Sequence, residues 1–303
     1  MNLPTSIEIT EVSPRDGLQN QSSVITTETK IAFVDALSKT GLQRIEVSSF
    51  VNPKWVPQLA DAAEVFSGII RSGNVKYSAL VPNEQGWERA MEVGVDEIGL
   101  MTSASETFCK RNTNTSIADS IERIKPLVES AKANGVGTRG YVSCVVACPY
   151  EGEVDSGHVR SVVKQLLDIG VENISLGETI GVAVPSDIAR LYDALEGVLS
   201  PEQSILHLHD TRGTALACVF SAMQLGVRRF DASSGGLGGC PYAPGAAGNL
   251  ATEDLVYFAN RMGIDTGVHL AQLISATRII EESLDSPLKS RVYRALSCQD
   301  PSS

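Results

Sequence analysis

The sequence predicts an α/β fold, a (β/α)8 TIM barrel, and three observations point to it. Eight short β-branched runs alternate with longer helix-like stretches, several of those stretches end on glycine, and the chain has 303 residues. Strands alternating with helices build a parallel sheet, and about 250 residues suffice to close eight such units into one barrel. The strands are read at Ile7–Val12, Arg44–Phe50, Val75–Val81, Val95–Met101, Thr138–Val146, Val171–Glu178, Ser204–Asp210 and Val227–Ser233. Amphipathic segments between them include Thr27–Thr40, Ile117–Asn134, Gly157–Gly170, Pro185–Leu199, Arg212–Gly226 and Thr252–Gly263. Glycine follows at Thr40-Gly41, Asn134-Gly135, Ile169-Gly170 and Leu225-Gly226, where a helix C-terminus needs a left-handed residue. The stretch 268–296 lies beyond the eighth unit and is expected to add helices covering one end. The expected organisation is a single catalytic domain over 1–303, with the barrel at about 6–265 and a C-terminal extension at about 266–298. An open doubly wound sheet is the alternative, but the glycine-rich stretches match neither G-x-G-x-x-G nor G-x-x-x-x-G-K-[ST].

Composition narrows the function. With 43% hydrophobic and 20% charged residues the chain is neither disordered nor fibrous, and no run reaches the roughly 18 apolar residues of a spanning helix. A formal charge of −11 argues against nucleic acid or an anionic membrane as the main partner. The start, MNLPTSIEIT, has neither a secretory h-region nor an Arg-rich presequence, so a cytoplasmic protein, or the mature form of an imported one, is expected. Six cysteines are too sparse for a disulfide framework and are expected as thiols. Cys144 and Cys148 are spaced C-x3-C, but no second Cys/His pair completes a structural zinc site.

A barrel places its chemistry at the C-terminal ends of the strands and in the loops that follow. There the sequence sets Arg15-Asp16 after the first strand, Glu46 and Ser49 in the second, Glu178-Thr179 after the sixth and His207 and His209 in the seventh. Cys240 and Asn249 follow the eighth. Alternation along a strand points His207 and His209 to one face and Leu206 and Leu208 to the other, so two imidazoles about 7 Å apart can converge on one metal. The competing reading is a pair of hydrogen-bonded core histidines. Asp16 offers the same metal a hard oxygen, with Arg15 as a fixed charge beside it, although Asp-Gly also builds plain turns. Ile45 and Val47 face the helices, which turns Glu46 and Ser48 into the barrel. A carboxylate buried there needs a partner, and Arg15 and Arg139 are the candidates. Arg139 shares its strand face with Tyr141 and Ser143. The segment Gly235–Ala243 is glycine-dense and presents Cys240, a thiol available for acid–base work or an incidental one.

These residues sit in a longer pattern. EVSPRDGLQNQ (11–21), SSFVNPKWVPQ (48–58), RGYVSCVVACPYEG (139–152), SLGETIGV (175–182), HLHDTRG (207–213) and GLGGCPYAPGAAGNLATEDLVY (236–257) together resemble the 3-hydroxy-3-methylglutaryl-CoA (HMG-CoA) lyase family, from about residue 6 to 296. The wider group of metal-dependent Claisen-type barrels shares only the RDG and HxH elements; the cysteine loop and the Pro-Lys-Trp-Val-Pro segment single out the lyase branch.

The resemblance implies cleavage of HMG-CoA to acetyl-CoA and acetoacetate with Mg2+ or Mn2+ bound. Asp16, His207, His209 and Asn249 match the family's metal ligands, Arg15 the arginine that polarises the thioester carbonyl, and Cys240 the cysteine of proton transfer. Glu46 matches a glutamate of the catalytic network; His207 and Asp16 are the candidates for the hydroxyl's base. Gln19, Ser49, Arg139, Tyr141, Ser143, Glu178 and Thr179 are expected to bind substrate or support the ligands. The expected partner is a small acyl-CoA, and a homodimer or other homo-oligomer is expected. The chain departs from the family pattern at Gln21 (often Glu), Glu178 (often Asp) and Ser234-Gly235 (often Val-Ala). The last change bears on the substrate's 3-substituent, so a lyase for a related 3-hydroxy-3-substituted glutaryl-CoA, or for another 3-hydroxyacyl-CoA by the same metal-assisted retro-Claisen mechanism, is the alternative.

Overall fold

The computed structural model describes residues 3–239 and 248–298. Eight strands form a closed parallel barrel: β1 (Glu8–Glu11), β2 (Arg44–Ser49), β3 (Lys76–Leu80), β4 (Glu97–Ser103), β5 (Gly137–Ser143), β8 (Asn173–Glu178), β9 (Ser204–Leu208) and β10 (Arg229–Ala232). Between β5 and β8 the chain inserts a two-residue hairpin, β6 (Ala147–Cys148) and β7 (Gly152–Glu153). Each barrel strand matches its expected run to within three residues at either end, β4 running two residues past its expected end and β5 starting one residue early. Closure is made by β1 pairing with β2 on one side and β10 on the other.

The helices follow from caps and apolar stripes. Helix α1 (Thr27–Leu37) starts where the Thr26 hydroxyl accepts the Thr29 N–H, and it buries Phe33, Val34 and Leu37. Helices α2 (Ala62–Gly68), α3 (Glu84–Glu92) and α4 (Glu106–Thr113) are short and fill the connections after β2, β3 and β4. Helix α5 (Ile117–Ala133) is capped by Ser116, and α6 (Ser156–Asp168) by Asp155. Helices α7 (Pro185–Leu195), α8 (Ala215–Gln224) and α9 (Thr252–Arg261) complete the turn of the barrel. Gly41, Gly135, Gly170 and Gly226 have φ of 94°, 69°, 96° and 100°, the left-handed conformation expected of them. Among the described residues no helix is long and apolar enough to cross a membrane.

The C-terminal extension has two parts. Helix α10 (Leu270–Glu281) packs along α1 in the outer ring, beginning where His269 N–H donates to Thr40 O at 2.7 Å. The chain then reaches the face at the strand C-termini, where the Lys289 and Ser290 N–H groups donate to Gly235 O at 2.9 and 3.0 Å. Helix α11 (Arg291–Ser297) is held there by Asp254, which accepts from the Ser290 hydroxyl and the Val292 N–H, both at 2.8 Å. Cys109, Cys144, Cys148, Cys218 and Cys298 are thiols. Cys148 Sγ accepts from the Ser105 hydroxyl at 3.0 Å and packs with Cys144 and Phe108.

Candidate active site

The residue after β1 decides the geometry of the centre. Residues Ser13–Gly17 form a single π-helical turn, with the Gly17 N–H reaching back to Val12 O at 3.2 Å. Pro14 suits that turn's start, where no N–H is needed. The wide turn carries Arg15 and Asp16 over the barrel mouth, and π-turns of this kind recur at functional sites. Buried Glu11 anchors it: its carboxylate accepts from Ser13 N–H, Ser234 N–H, Ser234 Oγ and Thr252 Oγ1 at 2.7–2.9 Å. One side chain thereby ties the arginine-aspartate turn to the loop after β10 and to α9.

Arg15 is 3% exposed and spends its guanidinium on two carboxylates, donating from Nε to Glu46 at 2.8 Å and from Nη1 to Asp16 at 2.7 Å. Burial by itself would lower the Arg15 pKa, but the Glu46 and Asp16 charges raise it well above its ordinary value. Burial likewise opposes ionisation of Asp16, yet the adjacent Arg15 charge holds its pKa down at about 2. Asp16 is therefore ionised at the mouth in the resting protein. Glu46 points inward from β2 as its alternation requires, and its second oxygen accepts from the Tyr141 hydroxyl at 2.8 Å.

His207 and His209 share one face of the β9 end, their ring centroids 5.4 Å apart, while Leu206 and Leu208 are buried on the other. One ligand atom from each of Asp16, His207 and His209 lies within 4.8 Å of the others, among the described residues the one Cys/His/Asp/Glu group so arranged. Burial and the neighbouring His207 push the His209 pKa down to about 4, so its ring is neutral, the form that ligates metal. His207 is pulled the other way: burial lowers its pKa, but its hydrogen bond to Asp231 and that residue's charge raise it overall. Asn249 arrives because residues 248–250 pair antiparallel with the end of β9, bridging Asn249 to His209. Its amide donates to Asp16 at 2.7 Å and to Leu237 O at 3.0 Å. Asn249 Oδ1 and His209 Nδ1 are buried with no hydrogen-bond partner. A carbonyl oxygen and an imidazole nitrogen left unsatisfied beside an ionised carboxylate suit a cation.

Of the expected site residues, the structure links Arg15, Asp16, Glu46, Tyr141, His207, His209 and Asn249. Arg139 does not pair with Glu46, as one of the two candidate pairings held. It lies one inward position deeper in β5 than Tyr141, so the tyrosine hydroxyl takes the Glu46 oxygen, while Arg139 meets Asp231 of β10. The Ser49 hydroxyl is 3.4 Å from Leu80 O, and Thr179 accepts the Cys144 N–H at 2.8 Å; both side chains serve the strand ends. Glu178 is buried, its pKa raised by desolvation, and it accepts the Val182 N–H at 3.1 Å. Gln19 and Ser143 are half-buried at the same face. Cys240 lies outside the described residues. Sequence reasoning passed over Glu11, Asp231 and Glu253. Alternation in β10 carried a signal for Asp231, since Phe230 and Ala232 mark the outer face and leave Asp231 pointing inward.

The HMGL-like family model matches residues 6–280. The chain belongs to the HMGL-like family. It is 47% identical over 291 residues to the hydroxymethylglutaryl-CoA lyase YngG of Bacillus subtilis, covering 96% of this chain and 97% of the relative. Identity is also 47% to the 3-hydroxy-3-isohexenylglutaryl-CoA/hydroxymethylglutaryl-CoA lyase of Pseudomonas aeruginosa, over 98% of this chain and 99% of that relative. A crystal structure of the Bacillus subtilis HMG-CoA lyase superimposes with a TM-score of 0.96 at 46% identity, covering 98% of this chain and all of that one.

Proposed function

We propose that this chain is a divalent-metal-dependent carbon–carbon lyase that cleaves HMG-CoA to acetyl-CoA and acetoacetate. The observation that carries the proposal is the convergence of Asp16, His207 and His209 beside buried Arg15, in a chain whose full-length relatives are named HMG-CoA lyases. Asp16, His207, His209 and Asn249 would hold the ion, Mg2+ or Mn2+, since an oxygen-rich set with two imidazoles suits either. When bound, the ion supplies positive charge that makes the substrate's 3-hydroxyl more acidic.

The residues of the chain do the rest. Of the two candidates for the hydroxyl's base, Asp16 takes the proton, because His207, with Nδ1–H facing Asp231 and Nε2 on the ion, would keep no lone pair for it. The C2–C3 bond then breaks, its electrons moving into the thioester carbonyl, and acetoacetate separates from the enolate of acetyl-CoA. Arg15, fixed by Glu46, offers N–H groups to that developing oxygen charge, an interaction worth ~3–4 kcal/mol where it has been measured in other enzymes. Cys240 belongs to the relay that delivers the proton to the enolate carbon. Gln19, Ser49, Arg139, Tyr141, Ser143, Glu178 and Thr179 line or support the substrate site, and the active unit is a homo-oligomer.

Release of acetoacetate from HMG-CoA, present with Mg2+ or Mn2+ and abolished by EDTA, tests the reading; no release with either ion would overturn it. The Pseudomonas aeruginosa relative favours a second reading, in which a 3-isohexenyl substrate is also cleaved. Comparing kcat/KM for the 3-methyl and 3-isohexenyl substrates decides between one substrate and two.

A further inference from the structure

The site residues form a ring of contacts, and Asp231 is the member that closes it. Asp16 meets Arg15, Arg15 meets Glu46, and Glu46 meets the Tyr141 hydroxyl. The Arg139 guanidinium carbon lies 4.7 Å from the Tyr141 ring centroid, and Arg139 in turn pairs with Asp231. Asp231 Oδ2 stands 3.1 Å from His207 Nδ1, and His207 returns to Asp16 across the metal position.

The way Asp231 is used is informative. A buried arginine and carboxylate can form a two-pronged fork, the stronger arrangement. Here Arg139 uses Nη2 alone, and its Nε and Nη1 are buried without hydrogen-bond partners, as is Asp231 Oδ1. Three donors instead converge on the single oxygen Oδ2: Arg139, the Ser175 hydroxyl at 3.3 Å and His207. The carboxylate is turned for the histidine at the expense of the ion pair. An ionised carboxylate only accepts, so the His207 nitrogen facing it must carry the proton. That leaves the lone pair on Nε2, the nitrogen not engaged by Asp231.

We propose that Asp231 is a positioning residue of the metal site, fixing His207 as its Nδ1–H tautomer with Nε2 presented to the ion, while Arg139 and Ser175 hold Asp231 in place. Partners of this kind raise the basicity of a ligating histidine and fix its ring, and losing one costs 10- to 100-fold in metal affinity in comparable sites. The inference rests on the reading of His207 as a ligand, so its test has one arm that needs no metal.

In that arm, long-range 15N–1H correlation spectra of the metal-free wild type at alkaline pH, where the His207 ring is neutral, report the tautomer, with His207 assigned from a His207→Gln spectrum. The expected result is a protonated Nδ1 and a bare Nε2; a protonated Nε2 with a bare Nδ1 would overturn the proposal. In the second arm, Mn2+ titration followed by electron paramagnetic resonance compares the wild type with Asp231→Asn, which keeps shape and removes charge. The expected result is a 10- to 100-fold weaker Kd. An Asp231→Asn protein with native circular dichroism and Mn2+ affinity within threefold of wild type would also overturn it. Because Asn leaves Arg139 unpaired, Arg139→Met/Asp231→Asn is measured alongside, and the same weakening is expected of it. A wild type that binds no Mn2+ would sink the metal reading itself, a failure distinct from a wrong tautomer.

Discussion

Arg15 donates from Nε to Glu46 at 2.8 Å, and both side chains are almost wholly removed from solvent. A buried ion pair adds little over a well-packed apolar pair, but removing one member strands the other charge, at about 3–5 kcal/mol. Glu46→Ala should therefore lose stability on that scale in urea unfolding and free Arg15 from its position. A loss below about 1 kcal/mol would mean that Asp16, its other carboxylate partner, satisfies Arg15 alone.

Arg15→Met should keep Mn2+ affinity within a few-fold of wild type, because the arginine touches Asp16 but is not a ligand. Turnover should fall by about 10²–10³-fold, the scale on which an electrostatic stabiliser is lost. Near-normal kcat would place the thioester oxygen elsewhere.

Asp16→Asn, His207→Ala and His209→Ala each remove one of the three converging ligand groups. Each should lose metal affinity and activity together. Unchanged Mn2+ affinity in all three, measured by titration, would end the ligand assignment.

Cys240→Ser is expected to fold and bind metal as wild type while single-turnover cleavage slows by about 10²–10⁴-fold, because a serine hydroxyl is a far weaker acid than a thiol near neutral pH. Cleavage within threefold of wild type would make the thiol a bystander. Alkylation of Cys240 should inactivate the enzyme, and bound substrate should protect it.

Glu253 sets a pH dependence of stability. It is fully buried, accepts the Gly235 N–H at 2.9 Å and the Thr277 hydroxyl at 2.7 Å, and lies near the Glu11 charge from β1. Burial pushes its pKa up from 4.5 to about 7. Between those values the folded protein binds more protons than the unfolded chain, so stability falls as pH rises through the window and levels off above it. The wild type's advantage over Glu253→Gln in urea unfolding should shrink from pH 4.5 to about 7 and stay constant beyond. An advantage that does not change with pH would show that Glu253 is ionised in the folded state throughout.

The sequence by itself determined the strand positions, the inward faces of β2 and β9, and the placement of Asp16, His207 and His209 at one set of strand C-termini. Those follow from period-two alternation and from the rule that a barrel's chemistry lies at its strand C-termini, both local or fold-level regularities. Tertiary structure alone decided who meets whom across the barrel. Arg139 and Asp231 are 92 positions apart, and Glu46 and Tyr141 are 95 apart. Their depths in the interior depend on the strand stagger that closes the barrel, a quantity no single strand's pattern contains. Asn249 reaches Asp16 across 233 positions because residues 248–250 pair with the end of β9. That pairing depends on where the chain returns to the barrel mouth, and the side chains of those residues carry no periodic signal for it.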